Sequence, residues 1–395
     1  ATTVAVTATA VTTITGLAAD ANTAYASSGI SGLGNEAVTL SDTSLAASVL
    51  NTLDGNTTGA VNAATVLTLT GTAAAANTAY ASSGISGLGN EAVTLSDTSL
   101  AATVLNTLDG NTTGAVNAST IATLTGSIST LNTAYSSSGI NGLGNEAITI
   151  SDTAVAAATL NTFNDVTTGT INVSSILTLT GTAAAINTTY AASGLSGLGN
   201  EAVTLSDTSL AATVLNTLDG NTTGAVNAAT VTTLTGTAAA ANTAYASSGI
   251  SGLGNEAVTL SDTSLAASSL NSINDLTSGV VTVSATTLTG SYSDLNTAYT
   301  ANTAGTITGL GNEAITSSTS SDASSRLLAS HFFAFTDSGI HLVAFRTPCE
   351  FLRIVANPPA TSAKIPRPVP SVAFLIRLTS GLSVSKVAIS SGIHA

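Results

Sequence analysis

Short runs with the two-residue period of a strand alternate along this chain with Ala-rich runs that have the spacing of a helix. Val38 and Leu40 are apolar while Thr39 and Ser41 are polar, the pattern of a half-buried strand. Asp42 or Thr43 then offers a side-chain oxygen to the free N–H groups of a following helix, as an N-cap does. Leu45, Val49 and Leu53 fall at i, i+4 and i+8 and predict one apolar helical stripe. Asp54-Gly55 is expected to end that helix. A second strand-like run, Leu67-Thr-Leu-Thr70, leads into the Ala-rich residues 73–79, and Leu131 and Tyr135 form the matching i, i+4 pair one unit later.

The pattern repeats. Gly-Leu-Gly-Asn-Glu ends at Glu36, Glu91, Glu146, Glu201, Glu256 and Glu313, and Tyr25, Tyr80, Tyr135, Tyr190, Tyr245 and Tyr299 keep the same beat, 55 residues for most steps. Each unit divides into two halves, and each half holds a strand-like run, a polar or Gly break, an Ala-rich run and a Gly turn. The elementary coil is therefore about 27–28 residues, and residues 1–315 hold about 11 of them. A helix of about nine to eleven residues is marginal alone, so each coil needs its neighbours. The predicted fold is an α/β repeat solenoid. Its strands are expected to align in one parallel sheet and its helices to form a second wall, a plan that resembles leucine-rich repeats with a different consensus. The alternative is an all-β solenoid. Ala is the best helix former and a poor strand former, which weighs against it.

Composition agrees with a thin, layered core. Ala, Thr, Ser, Gly, Asn, Leu and Val dominate, aromatic residues are 4%, and Trp and Met are missing. Small side chains cannot fill a thick globular interior but can fill one in which each layer packs only on its neighbours. Charge divides the chain at residue 315. Residues 1–315 hold 18 acidic residues and no Lys, Arg, His, Cys or Pro; the remainder holds all 7 basic residues, all 6 Pro and Cys349. A single-sign acidic surface repels nucleic acid and anionic membranes and is expected to attract divalent cations. No uncharged apolar stretch is long enough to predict membrane insertion.

At Thr316 the repeat stops in mid-phrase, and residues 316–395 read as a separate tail. A genuine terminal cap and translation in another frame are the two readings, the second favoured because every composition class changes at once. On either reading the tail is expected to be poorly ordered. His341-Leu-Val-Ala-Phe345 and Val372-Ala-Phe-Leu-Ile376 have strand-like composition, and Lys364-Ile-Pro-Arg-Pro-Val-Pro370 reads as an extended linker. His331, His341 and Cys349 read as incidental rather than as a Cys–His pair.

Candidate chemistry is sparse. Without His, Cys, Lys or Arg in the repeats, acid–base work would fall on carboxylates and a Ser nucleophile would lack a base, so the chain is read as a non-enzyme with no cofactor. Asp54-Gly-Asn-Thr-Thr-Gly59 places oxygen side chains at positions 1, 3 and 5 with Gly at 6, like the start of an EF-hand loop. That makes Asp54 and Asn56, Asp109 and Asn111, and Asp219 and Asn221 weak calcium candidates. Thr65 stands where the bidentate Glu would be, and a helix-ending turn is the preferred reading. Thr39-Leu-Ser41, Thr68-Leu-Thr70, Thr94-Leu-Ser96, Thr123-Leu-Thr125 and their successors predict outward hydroxyl rows, which resemble the Thr faces of ice-binding solenoids. Asn35 and Asn62 with their equivalents are expected to stack inside the turns, and Glu36 with its equivalents to form an acidic row along one edge, screened by cations.

The phrases Asn-Thr-Ala-Tyr-Ala-Ser-Ser-Gly-Ile-Ser-Gly-Leu-Gly-Asn-Glu-Ala-Val-Thr-Leu-Ser-Asp-Thr and Leu-Asn-Thr-Leu-Asp-Gly-Asn-Thr-Thr-Gly resemble repeats of giant surface proteins of marine cyanobacteria, one of them associated with swimming without flagella. The resemblance covers residues 11–315. It implies secretion, an extracellular or cell-surface location, and other surface or matrix components as partners. The expected role is a structural segment, a stalk or surface-layer module. An adhesin or an ice- or ligand-binding module using the Thr-rich face is the alternative.

Overall fold

The computed structural model describes residues 5–317, 341–346 and 352–357. The chain divides into two units, Ala1–Thr319 and Ser320–Ala395. Within the second, His341–Arg346 and Leu352–Asn357 pair as antiparallel strands, His341 opposite Asn357. The strand reading of 341–345 holds. Residues 364–370 and 372–376, with His331 and Cys349, lie outside the described residues, so the frame question does too.

The first unit is an α/β repeat solenoid. Its helices are α1 (Ala18–Ala26), α2 (Ala47–Asn56), α3 (Ala73–Ala81), α4 (Ala102–Asn111), α5 (Ile128–Ser136), α6 (Ala157–Asn164), α7 (Ala183–Ala191), α8 (Ala212–Asn221), α9 (Ala238–Ala246), α10 (Ala267–Leu276) and α11 (Tyr292–Ala304). A parallel strand precedes each helix and another follows it.

Among the described residues the expected single sheet is replaced by seven short parallel sheets. One runs from Ser44–Ala46 through Thr68–Gly71 and Ala92–Leu95 to Val116–Asn117 and Ile140–Asn141. Its first two strands lie just before a helix and its last two just after one, so the sheet crosses the coil obliquely. The cause is a mismatch of spacings. Paired strands sit about 4.8 Å apart, whereas a helix with its side chains is about 10 Å across. Helices therefore cannot sit directly above one another at strand spacing. The chain resolves this with two periods. Thr13 pairs with Ala37, Val38 with Val61 and Val61 with Ile85, so these ladder partners are 23 or 24 residues apart, while Ala18, Ala47, Ala73 and Ala102 open successive helices 29 and 26 residues apart. Each helix is thus displaced along the coil relative to the one before it.

The core is thin and continuous, as the composition requires. Val38, Leu40, Val61, Val66 and Leu69 are buried from the strands and turns. Helix α2 buries Ala47, Leu50 and Leu53, and α3 buries Ala73, Ala76 and Ala79. The predicted stripe of Leu45, Val49 and Leu53 is corrected in two places: Leu45 belongs to the strand Ser44–Ala46, and Val49 is only half-buried. Leu131 and Tyr135 do share the inner face of α5. Gly59 marks a close approach, because a Cβ there would lie 2.2 Å from the Glu36 carbonyl oxygen.

Candidate functional site

The most conspicuous chemistry in the first unit is a station repeated six times, where a Tyr from a helix meets the Glu that closes the Gly-Leu-Gly-Asn-Glu turn. Glu36 is 0% exposed, as are Glu91, Glu201 and Glu256. The expected acidic edge row is therefore wrong: these carboxylates point inward. The turn curls because Gly34 takes a left-handed φ of 139° that other residues adopt rarely. Glu36 Oε2 then accepts hydrogen bonds from the Gly34 N–H at 2.8 Å, the Asn35 N–H at 3.1 Å and the Tyr25 hydroxyl at 3.0 Å. Tyr80 donates to Glu91 at 2.9 Å, Tyr135 to Glu146 at 2.7 Å and Tyr190 to Glu201 at 3.1 Å. Tyr245 donates to Glu256 and Tyr299 to Glu313 in the same way.

Glu36, Glu313 and the station tyrosines are shifted from their ordinary values in the directions these bonds favour. Burial pushes the Glu36 carboxyl upward, but the hydrogen bonds from Gly34, its own N–H, Tyr25 and Asn35 outweigh it and hold the group below the usual carboxylate range. Glu313 is lowered by the same balance. Burial is also the first cause of the upward shift of the tyrosines; Tyr190 is pushed up to about 12, with the hydroxyl of Thr222 working against and the charge of Glu201 adding to it. A neutral phenol donating to an ionised carboxylate is a charge-assisted bond, about twice as strong as a neutral pair.

Two further sets of carboxylates tie one coil to the next. Asp42 or Thr43 is expected to cap the helix that follows, and neither does. That helix has Ala46 at its N-cap with no side-chain bond. Asp42 Oδ2 instead accepts the Ala18 N–H at 2.9 Å, capping α1 of the preceding coil. Asp97, Asp152, Asp207 and Asp262 cap Ala73, Ile128, Ala183 and Ala238 in the same fashion. The oblique ladder explains the correction, since a residue 24 positions on lies directly above the start of α1.

The calcium candidates are placed differently from a loop. Helix α2 runs through Gly55 to Asn56, so Asp54 and Asn56 lie in its last turn. Asp54 accepts the Ser82 hydroxyl at 2.6 Å, and Asn56 donates to Asn22 Oδ1 at 2.9 Å. Asp109 and Asn111 engage Ser137 and Asn77, while Asp219 and Asn221 engage Ser247 and Asn187. Each pair is divided between two coils, the Asp bonding to the coil that follows and the Asn to the one that precedes, rather than brought to one point. Among the described residues no three His, Cys, Asp or Glu side chains come together as a metal site.

The hydroxyl rows also differ from expectation. Thr39 ladders with Thr15 and Asn62, and Thr70 with Ala46 and Thr94, which then meets Asn117. Rows thus change from Thr to Asn after two positions. The row Thr235, Thr259, Thr282 and Thr308 is longer. Asn35 is exposed, and Asn62 accepts the Ala64 N–H in a tight outward turn at 3.1 Å, so neither Asn set stacks inside.

The Tyr–Glu pairing was missed in the sequence, although a signal was present. Tyr and Glu are separated by 11 residues in five units and by 14 in the last. The last unit absorbs its extra residues in α11, which has 13 residues and ends on Gly305 with φ of 83°. The Tyr299 hydroxyl still reaches Glu313.

No family model, curated protein or solved structure matches the chain. No helix among the described residues is long and apolar enough to cross a membrane.

Proposed function

We propose that this chain is a structural segment, a stalk or surface-layer module, of a large secreted cell-surface protein, and that it performs no catalysis. The observation that carries the reading is where the acidic side chains go. Glu36 and its equivalents close turns, Asp42 and its equivalents cap the preceding coil, and Asp54, Asp109 and Asp219 hold the next one. The recurring polar chemistry is directed at shaping the coil and joining it to its neighbours, which is what a spacer needs and what a binding surface would leave free. Its partners would be other surface or matrix components. The adhesive alternative draws on the row of four Thr from Thr235 to Thr308, but the Asn positions in the other rows weigh against a flat hydroxyl array.

The test is surface display and tolerance of length. An antibody against the repeat should label intact cells, and external protease should remove the signal. Deleting one unit, residues 92–146, should preserve folding and display. Signal confined to permeabilised cells would overturn the reading, as would loss of display in a correctly folded deletion chain.

A further inference from the structure

Six Asn residues in the first unit stand two places before a Ser or Thr with no Pro between, the acceptor pattern for N-glycosylation: Asn56, Asn111, Asn117, Asn172, Asn187 and Asn221. The structure separates them into two groups. Asn56, Asn111 and Asn221 lie at the ends of helices and donate their side-chain N–H to Asn22, Asn77 and Asn187. Asn187 lies inside α7, and the hydroxyl of its Thr189 is buried and donates to Asn161 at 2.7 Å. In all four the reacting amide or its companion hydroxyl is engaged in coil contacts.

Asn117 and Asn172 are different. Both are exposed, each follows a buried Val116 or Ile171, and each begins an outward turn. Asn117 Oδ1 accepts the Ser119 N–H at 3.1 Å, and Asn172 Oδ1 accepts the Ser174 N–H at 3.0 Å. That bond polarises the amide, and Nδ2 of these exposed residues makes no hydrogen bond among the described residues. Ser119 and Ser174, which carry the companion hydroxyls, are exposed as well. We propose that Asn117 and Asn172 are N-glycosylation sites of the folded chain. The inference rests on the secretion reading above for its place in a cell, but its chemistry is independent of it. The donor is a polyprenyl-diphosphate-linked oligosaccharide. A bond forms between Nδ2 and the anomeric carbon, the bond from that carbon to the diphosphate oxygen breaks, the diphosphate leaves with the electron pair, and Nδ2 loses one proton.

The geometry also makes a gain-of-function test possible. Asn62 and Asn227 sit in the same outward turn, with Oδ1 accepting the N–H of Ala64 and Ala229. They lack only the hydroxyl. The full folded chain is incubated with a purified oligosaccharyltransferase and a polyprenyl-diphosphate-linked oligosaccharide, with an Asn-Ala-Thr peptide as acceptor control in the same tube. Sites are read by mass spectrometry of Glu-specific digests. Modification is expected at Asn117 and Asn172 and at least tenfold lower at Asn56, Asn111, Asn187 and Asn221. Ala64→Ser and Ala229→Ser should add Asn62 and Asn227. Because the assay needs no cell, failure of the surface reading would leave this result intact. Equal modification of all six sites, or an unmodified chain beside a modified control peptide, overturns the proposal.

Discussion

Helices α3 and α4, neighbours from the two kinds of half-unit, are held by different means. Helix α4 buries Leu105 and Leu108 and has no side-chain cap, its N-cap being Ala101. Helix α3 buries only Ala73, Ala76 and Ala79, but Thr72 caps it from within, Asp97 caps it from the next coil, and Tyr80 anchors it to Glu91. A fully buried Leu contributes about 1.5–3 kcal/mol and an Ala methyl far less. The leucine helices are therefore held by apolar burial and the alanine helices by polar bonds to their neighbours. A solenoid whose helices crowd more than its strands gains where this alternation holds, because α1, α3 and α9 present only alanine to the core, while α5, α7 and α11 add Leu131, Ile186 and Leu295.

The comparison breaks first at the leucine helices. Leu105→Ala should cost about 2–5 kcal/mol, the range for emptying a buried Leu site, whereas Ala76→Gly in the facing helix should cost about 1–2 kcal/mol, the helix-propensity term plus one buried methyl. Denaturant unfolding of the two variants checks the ratio. Equal losses would mean that both helices depend on burial alike.

Next come the Tyr–Glu stations. Glu91→Gln keeps the size but removes the charge that accepts the Gly89 N–H and the Tyr80 hydroxyl, and a loss of about 1–3 kcal/mol is expected. Glu36 and Tyr190 also give the stability a pH dependence. The folded Glu36 carboxyl lies below its ordinary value of 4.5, so it stabilises the fold above that value, and the contribution disappears as pH falls through the folded value. The folded Tyr190 phenol lies above its ordinary value of 10.0, at about 12, so its contribution is complete below 10.0 and is lost as pH rises through about 12. Melting temperature against pH should fall on both flanks. Glu36→Gln should flatten the acid flank and Tyr190→Phe the alkaline one; unchanged flanks would detach these groups from stability.

Asp97→Ala should cost about 0.5–2 kcal/mol, as for other lost helix caps. The informative readout is location. Amide hydrogen exchange should rise at the start of α3, one coil back, and not in α4, which follows Asp97 in sequence. Faster exchange in α4 would restore the local cap that the sequence suggested.

That contrast shows what was legible. The repeat, the half-unit division and the alternation of strand and helix follow from local period and composition, and they appear in the structure. What escaped were relations set by stacking. Asp42 looks like a cap for its own helix because a cap ordinarily precedes a helix by one residue, and only the 24-residue ladder reveals that it serves Ala18. Glu36 looks exposed because a Gly-rich turn ordinarily is, and only the inward curl at Gly34 places it against Tyr25. The Thr runs keep their outward direction in sequence but pair with Asn, since the ladder and the repeat have different periods. Local chemistry gave the elements, and the two periods decided their partners.

The smallest expected effect tests whether polar bonds between helices can be completed by design. Asn51, Asn106, Asn216 and Asn271 each donate to a carbonyl of the next helix, but their Oδ1 atoms are buried with no hydrogen-bond partner. Asn161 is the fifth member of this set, and its Oδ1 accepts the Thr189 hydroxyl at 2.7 Å. The residue matching Thr189 is Ala79, Ala134 and Ala244 in the units of Asn51, Asn106 and Asn216. Ala244→Thr should supply the missing donor to Asn216 and stabilise the α8–α9 contact by about 0.5–1.5 kcal/mol. Two extra heavy atoms at a buried site also carry a packing cost, which can reach about 1–3 kcal/mol. Ala244→Val separates the two terms, because Val has nearly the shape of Thr and no hydroxyl. The Thr variant should therefore be more stable than the Val variant by the hydrogen-bond term, whatever their common offset from the parent. Hydrogen exchange in α9 measures this locally, which suits an array whose coils need not unfold together. If Thr and Val variants exchange alike, the orphaned oxygens are not a stability defect, and the Asn161–Thr189 bond adds nothing that packing does not.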